Sequence, residues 1–350
     1  MSSTSQLSEV NLIRPIVIVL LVVMHSFTLY TGIPGENREV WGYPNGISPV
    51  EAYSWITKIS FSFMLEMFVF ISGYLFAYQS ERRSRSHTLT SLIRLKFKRL
   101  IIPSIVFSLL YSLLFYTKRF SWPQYTYDIL NGLGHMWFLP MLFWCFILTY
   151  LYRKVELSED LKLAMLFVLS IFSAVPLPFQ LSQTCYYLFF FYLGGYVLTH
   201  KDKLSNYADI KHIILWGGVF VILFIPLTLY RDQLARYETA DLLGKIYKIS
   251  LRNLCKLGYA TTGVFTFYLW SLYITKRHNI PQKLVKINGA CFGIYLFQQF
   301  ILLILYYNTP LPQIVGTYWL PWVGLFITLP VSLLLSRALL KTSAGRLLIA

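Results

Sequence analysis

Charged residues are scarce in this chain, at 13% of 350 residues against the roughly 25% of a soluble domain. Acids are scarcest, 15 against 31 Lys and Arg. A soluble globular class is excluded on that ground, since 56% of the residues are hydrophobic and the apolar ones cluster in long runs. The four cysteines, Cys145, Cys185, Cys255 and Cys291, have no CxxC spacing. That argues against a disulfide framework or a thiolate metal site, and each reads as a small buried hydrophobe. No zinc motif, helix-turn-helix, P-loop, GxSxG or zincin helix is present, and no metal is expected. The net charge of +16 therefore does not point to nucleic acid. The N-terminal stretch MSSTSQLSEVN has no basic n-region, so the first apolar run reads as a retained helix rather than a cleaved signal. No internal repeat is visible, which argues against a repeat-built transporter.

The apolar runs fall at 12–31, 52–79, 100–117, 136–152, 162–178, 184–199, 212–230, 255–275, 289–307 and 318–340. Most hold close to the ~20 residues that span a bilayer. The expected fold is all-α, a polytopic integral membrane bundle of about ten transmembrane helices. The run at 162–178 is short and ends at Pro176 and Pro178. Aromatics reach 18%, many at run ends, where amphipathic rings suit the headgroup zone.

Orientation follows from the basic loops. Arg82, Arg83, Arg85, Arg94, Lys96, Lys98 and Arg99 follow the second run, with Glu81 the one acid. Arg153 and Lys154, then Lys201, Lys203 and Lys211, then Lys276, Arg277, Lys283 and Lys286, and finally Arg337, Lys341 and Arg346 share that side if there are ten spans. The positive-inside rule places this side, and both termini, in the cytoplasm. The opposite loops are Gly32–Glu51, Lys118–Gly134, Pro176–Gln183, Arg231–Asn253 and Asn308–Thr317. Arg231–Asn253 is heavily charged for that side, and one reading makes it an amphipathic helix on the external surface. The domain expectation is one transmembrane domain over residues 1–350 with no appended soluble domain.

Ionisable groups inside apolar runs are costly, so each is a functional candidate. His25 lies in NLIRPIVIVLLVVMHSFTLY and has the neutral imidazole a general base needs. Arg14 precedes it by eleven residues, and eleven steps of about 100° leave the two about 20° apart around a helix. A cytoplasm-facing site follows, with a guanidinium at the mouth and a base within. Two plainer readings stand beside this: Arg14 as a snorkelling anchor and His25 as a structural hydrogen-bonding group. Glu66 in SFMLEMFVFISGYLF needs a partner, whether a buried cation or a wet cavity. Gly73 permits close packing of helices. His135 and Trp137 in GHMWFLPML are candidates for acceptor contact, against an interfacial-anchor reading for Trp137. Gln298, Gln299 and Tyr295 read as bridges between helices. The basic segment Arg82–Arg99 is a topology determinant, and it also suits phosphates or anionic headgroups.

Taken together these segments resemble a known family, the acyltransferase family 3 membrane proteins of the wider transmembrane acyltransferase group. Arg14 followed by His25 is similar to its Arg-x10-His signature. MFVFISGYLF resembles its second-helix FFxxSGFLL-type motif, and KFKRLIIP its basic stretch ending at a proline that opens the third helix. HMWFLPMLF resembles its WFL-containing helix, and GACFGIYLFQQ its SFGIYLxH-type motif. The order and spacing of all five agree across most of the chain.

The resemblance implies a membrane-embedded O-acyltransferase. Such proteins take an acyl group, commonly acetyl, from cytoplasmic acyl-CoA (acetyl-CoA) and move it to a hydroxyl of a glycan or lipid-linked sugar at the bacterial inner membrane. It implies an essential role for His25 and Arg14, with Arg14, Lys96, Lys98 and Arg99 holding the phosphates of the acyl-CoA donor. Glu66, His135 and Trp137 stand as substrate-contact candidates from the residues themselves. Three departures stand out. Pro15 follows the arginine where a small residue is usual, so the helix would start near it. Gln298 stands where many members have His. No SGNH domain follows the last run. The competing class is a transporter or flippase of a polar lipid-linked sugar or small acid, whose pathway the same ionisable residues would line.

Overall fold

The computed structural model describes residues 7–31, 47, 50–82, 88–115, 122–175, 177–239 and 241–349, with only the backbone at 29–31, 81, 82 and 122–124. Arg83, Arg85, the Arg82 side chain and most of the Gly32–Glu51 loop therefore lie outside the described residues. The described residues form helices and no strand. In chain order these are α1 (Ser8–Thr31), α2 (Tyr53–Phe61), α3 (Met64–Arg82), α4 (Leu89–Lys96), α5 (Ile102–Phe115), α6 (Trp122–Asn131), α7 (Phe138–Tyr152), α8 (Glu159–Ile171) and α9 (Leu181–Thr199). They continue with α10 (Lys201–Ser205), α11 (Ile210–Arg236), α12 (Leu242–Arg277), α13 (Gln282–Asn288), α14 (Cys291–Tyr307), α15 (Leu311–Val315), α16 (Leu320–Leu340) and α17 (Ser343–Ile349).

Lipid offers no hydrogen bonds, so apolar runs satisfy their backbones internally as helices. Among the described residues, six stretches are long and apolar enough to cross a membrane. The count is seven if α13 and α14, bent by 68°, form one span. Helices α8, α9 and α12 carry the remaining three runs but fall outside that set. α8 is only 13 residues long. Four tyrosines temper α9, and Tyr, Thr and Gly temper α12.

The chain divides into two compact units, one of residues 1–64 and 279–350 and one of residues 65–278. In the first, α1 and α14 run parallel, since Asn11 meets Asn288 and Ser26 meets Tyr306. α16 runs against α14, with Ser336 at Ala290 and Gly324 at Tyr306.

In the second unit, direction alternates along the chain. α3, α7, α9 and α12 are parallel: Phe76 and Phe191 both meet Phe146, while Glu66 meets Lys256 and Phe70 meets Tyr268. α5, α8 and α11 run the other way, as shown by Ser108 at Leu133, Ser170 at Tyr186 and Trp216 at Phe265. Helix starts are written in the sequence, where Thr88, Ser158, Asp209 and Asp241 each accept a hydrogen bond from the N–H three residues on.

Local chemistry explains the departures from expectation. Pro15 is not in a first turn, because α1 starts at Ser8 and carries the proline inside it. Arg14 and His25 thus share one continuous helix. Pro103 does not open a helix either. It has no N–H for the Arg99 carbonyl and its ring crowds that oxygen. The preceding turn, Phe97–Ile101, widens to a π-helix in which the Ile102 N–H reaches the Phe97 carbonyl. The Arg231–Asn253 segment is not a separate surface helix. α11 continues to Arg236 and α12 begins at Leu242, so most of its charges ride on helix ends. Asn253 uses its amide there to cap the carbonyls of Ser170 and Ile171 at the end of α8.

Gly73 and Gly194 let α3 and α9 touch. A Cβ at Gly73 would overlap the Phe191 carbonyl oxygen, and one at Gly194 the Phe70 carbonyl oxygen. Both obstacles are backbone and cannot swing aside. Gly73→Ala is therefore expected to cost ~3 kcal/mol or more, read as a lowered unfolding midpoint of detergent-solubilised protein.

Candidate active site

His25 sits in α1 of the first unit. Its Nδ1 lies 3.1 Å from Oε1 of Gln298 on α14. An amide oxygen only accepts, so Nδ1 carries the proton and the lone pair falls on Nε2. Gln298 is fully buried, and its Nε2 has no hydrogen-bond partner among the described residues. One end of this amide thus orients the imidazole, while the other keeps two donors available.

The residues after His25 are fixed. The Ser26 hydroxyl donates to the Pro321 carbonyl at 2.5 Å and lies 2.8 Å from the Tyr306 hydroxyl. Phe27 packs edge-on against Tyr53 and Trp322, at 5.2 and 5.0 Å between ring centroids. Trp322 Nε1 donates to the Tyr53 hydroxyl at 3.2 Å. An imidazole flanked by residues held this way keeps one orientation. Arg14 is half-buried nearer the start of the helix, within electrostatic reach of Cys291.

The other predicted residues belong to the second unit. Lys98 and Arg99 project from the π turn and are exposed. Lys96 is half-buried, its ammonium 3.4 Å from the centroid of the Phe146 ring. Two of the three cations are thus free of ring contact and able to meet a phosphate.

Glu66 is fully buried in the first turn of α3, where the helix dipole favours a carboxylate. Its Oε1 meets Lys256 Nζ at 2.8 Å and accepts from the Tyr186 hydroxyl at 3.4 Å. Trp137 lies in the 3-10 turn Gly134–Trp137, 6.1 Å from the Tyr187 ring, and Tyr187 in turn touches Tyr186 at 4.9 Å. The structure therefore brings Glu66 and Trp137 into one connected group. His135 is buried edge-on against Tyr111 at 6.2 Å.

Lys256, Tyr186 and Arg231 were not foreseen as site residues. One signal for Lys256 existed: a lone acid inside an apolar run calls for a base inside another, and Lys256 lies within 255–275.

A family model described as an acyltransferase domain, Acyl_transf_3, matches residues 7–340, nearly the whole chain. The chain belongs to this acyltransferase family. No curated protein and no solved structure matches it. Membership fixes the reaction type as acyl transfer and gives the His25–Gln298 contact a chemical setting. Attack on an acyl carbonyl puts negative charge on its oxygen, and a pre-placed amide donor stabilises that charge. Gln298→Leu removes both the orienting acceptor and the spare donors. It is expected to lower the transfer rate ~10²-fold with the protein still folded, measured as acyl label moved from donor to acceptor.

Proposed function

We propose that the protein transfers an acyl group, commonly acetyl, from cytoplasmic acyl-CoA to a hydroxyl of a glycan or lipid-linked sugar at the bacterial inner membrane. The observation that carries this reading is the His25 imidazole, held through Nδ1 by the buried Gln298 amide oxygen, which puts the basic lone pair on Nε2. Nε2 takes the proton of the acceptor hydroxyl as its oxygen bonds to the acyl carbonyl carbon. The carbon–sulfur bond then breaks, and the proton passes to the departing thiolate. Gln298 Nε2 is the donor available to the carbonyl oxygen.

Arg14 clamps an anionic part of the donor, and Lys96, Lys98 and Arg99 meet its phosphates. Glu66, His135 and Trp137 belong to the acceptor side. In this reading residues 1–350 work as one transmembrane domain of ten spans with both termini in the cytoplasm. The alternating helix directions within the second unit, and the parallel α1 and α14 of the first, support that count. The deciding experiment is mass spectrometry of the host's surface glycans with and without the gene. A loss of one acyl group per repeat is expected in its absence, and unchanged masses overturn the proposal.

A further inference from the structure

The Glu66–Lys256 pair is the core of a larger buried group at one end of the second unit. Glu66 enters from the start of α3, Tyr186 from the start of α9, and Trp137 from the turn that starts α7. These three helices are parallel, and Lys96 and Phe97, at the start of the π turn, pack on Phe146 and Phe143 in the middle of α7. From α11, Arg231 donates through Nη1 to the Tyr259 hydroxyl at 2.5 Å, and it is within electrostatic reach of Lys256 and Tyr186.

Two buried polar atoms in this group lack a hydrogen-bond partner among the described residues, Glu66 Oε2 and Arg231 Nε. The first is an acceptor and the second a donor. Buried polar atoms are ordinarily satisfied, so each points to something that completes it. The ligand must therefore both donate and accept. An anion accepts at Arg231 but is repelled by the Glu66 carboxylate. A cation accepts nothing from Arg231 and meets two positive side chains. A neutral hydroxyl group does both, and the tyrosine and tryptophan rings alongside suit the apolar face of a sugar.

We propose that Glu66, Lys256 and Arg231, with the rings of Tyr186 and Trp137, form the subsite that holds the hydroxyl groups of a neutral sugar of the acceptor. This rests on the acyl-transfer reading above. The carboxylate orients the sugar through its free oxygen, Lys256 holds that carboxylate in place, and Arg231 holds a neighbouring hydroxyl.

The test uses membranes carrying the full-length protein, radiolabelled acetyl-CoA as donor, and lipid-linked glycans extracted from the host as acceptor. Glu66→Gln is expected to raise the KM for extracted glycan at least tenfold and leave the KM for acetyl-CoA within twofold. The charge-reversed variant E66K/K256E keeps an ion pair but moves the carboxylate to another helix, so it is expected to fold and show the same acceptor defect. Wild-type acceptor KM in E66K/K256E means the pair is structural and overturns the proposal. A raised KM for acetyl-CoA in place of the glycan overturns it as well. If Glu66→Gln fails to fold, Tyr186→Phe, which removes one hydroxyl, is expected to raise the glycan KM about threefold, and no change overturns the proposal. Wild-type protein that transfers no label overturns the acyl-transfer reading itself, a failure told apart from that of the subsite by this control.

Discussion

His25→Ala is expected to reduce acyl transfer by ~10²–10⁴-fold, the range for losing a positioned general base. The loss follows from geometry. Among the described residues, His25 is the imidazole in the first unit set against a buried amide, with the neighbouring Ser26 and Phe27 locked in place. Alanine leaves those neighbours intact, so the helix keeps its position. It also leaves Gln298 Oε1 without its donor, at a cost of ~1–3 kcal/mol. The measurement is label moved from acyl-CoA into glycan by membranes with matched amounts of folded protein. Transfer undiminished in the folded variant removes His25 from the catalytic role. Gln298→Leu provides the companion result. If Gln298 acts through the imidazole and the acyl oxygen, combining the two substitutions is expected to cost little more than His25→Ala alone.

The largest stability effect is expected from Lys256→Met. It strips the fully buried Glu66 carboxylate of its ion-pair partner, and breaking a buried pair on one side typically costs ~3–5 kcal/mol. That is a large share of the whole stability of an ordinary domain. The protein is expected to be lost from membranes or to unfold at a much lower temperature in detergent. The double variant Glu66→Leu/Lys256→Met removes both charges and is expected to recover most of that stability, since apolar replacements of buried pairs are often neutral. Recovery of stability without recovery of transfer separates the pair's structural contribution from its work on the acceptor. A single Lys256→Met variant as stable as wild type shows the carboxylate to be neutralised by something other than Lys256.

Much of the helical order is legible in the sequence because lipid leaves the backbone few choices. Runs such as 12–31 and 318–340 return as α1 and α16 with small shifts at the ends. The charged stretch Arg231–Asn253 misleads because helix continuation there depends on packing: Asn253 is tied to the end of α8 and Lys248 bonds the carbonyls of Ala235 and Tyr237. Pro15 misleads because a proline resembles a helix start unless the residues before it are already committed to helix. Of the site, His25 stands out as a polar residue in an apolar run, but its partner does not. Gln298 sits far along the chain, and nothing local says which of two adjacent glutamines turns toward α1. Glu66 announces a need for a counter-charge, yet which of 31 basic residues supplies it is decided only by how α3 and α12 pack.

The widened turn before Pro103 constrains how this chain can vary. Each helical residue advances the face by about 100°, and the π turn holds one residue more than an α turn would. Removing one residue between Phe97 and Ile101 would close the turn to α, drive the Pro103 ring into the carbonyl four residues before it and kink the helix there. Ser104 and Ser108, which hold the Met136 carbonyl and the Leu133 N–H, would then leave those atoms. Side chains in this segment can change while the number of residues cannot. A single-codon deletion here is expected to be far more damaging than any single substitution of the exposed Lys98 or Arg99.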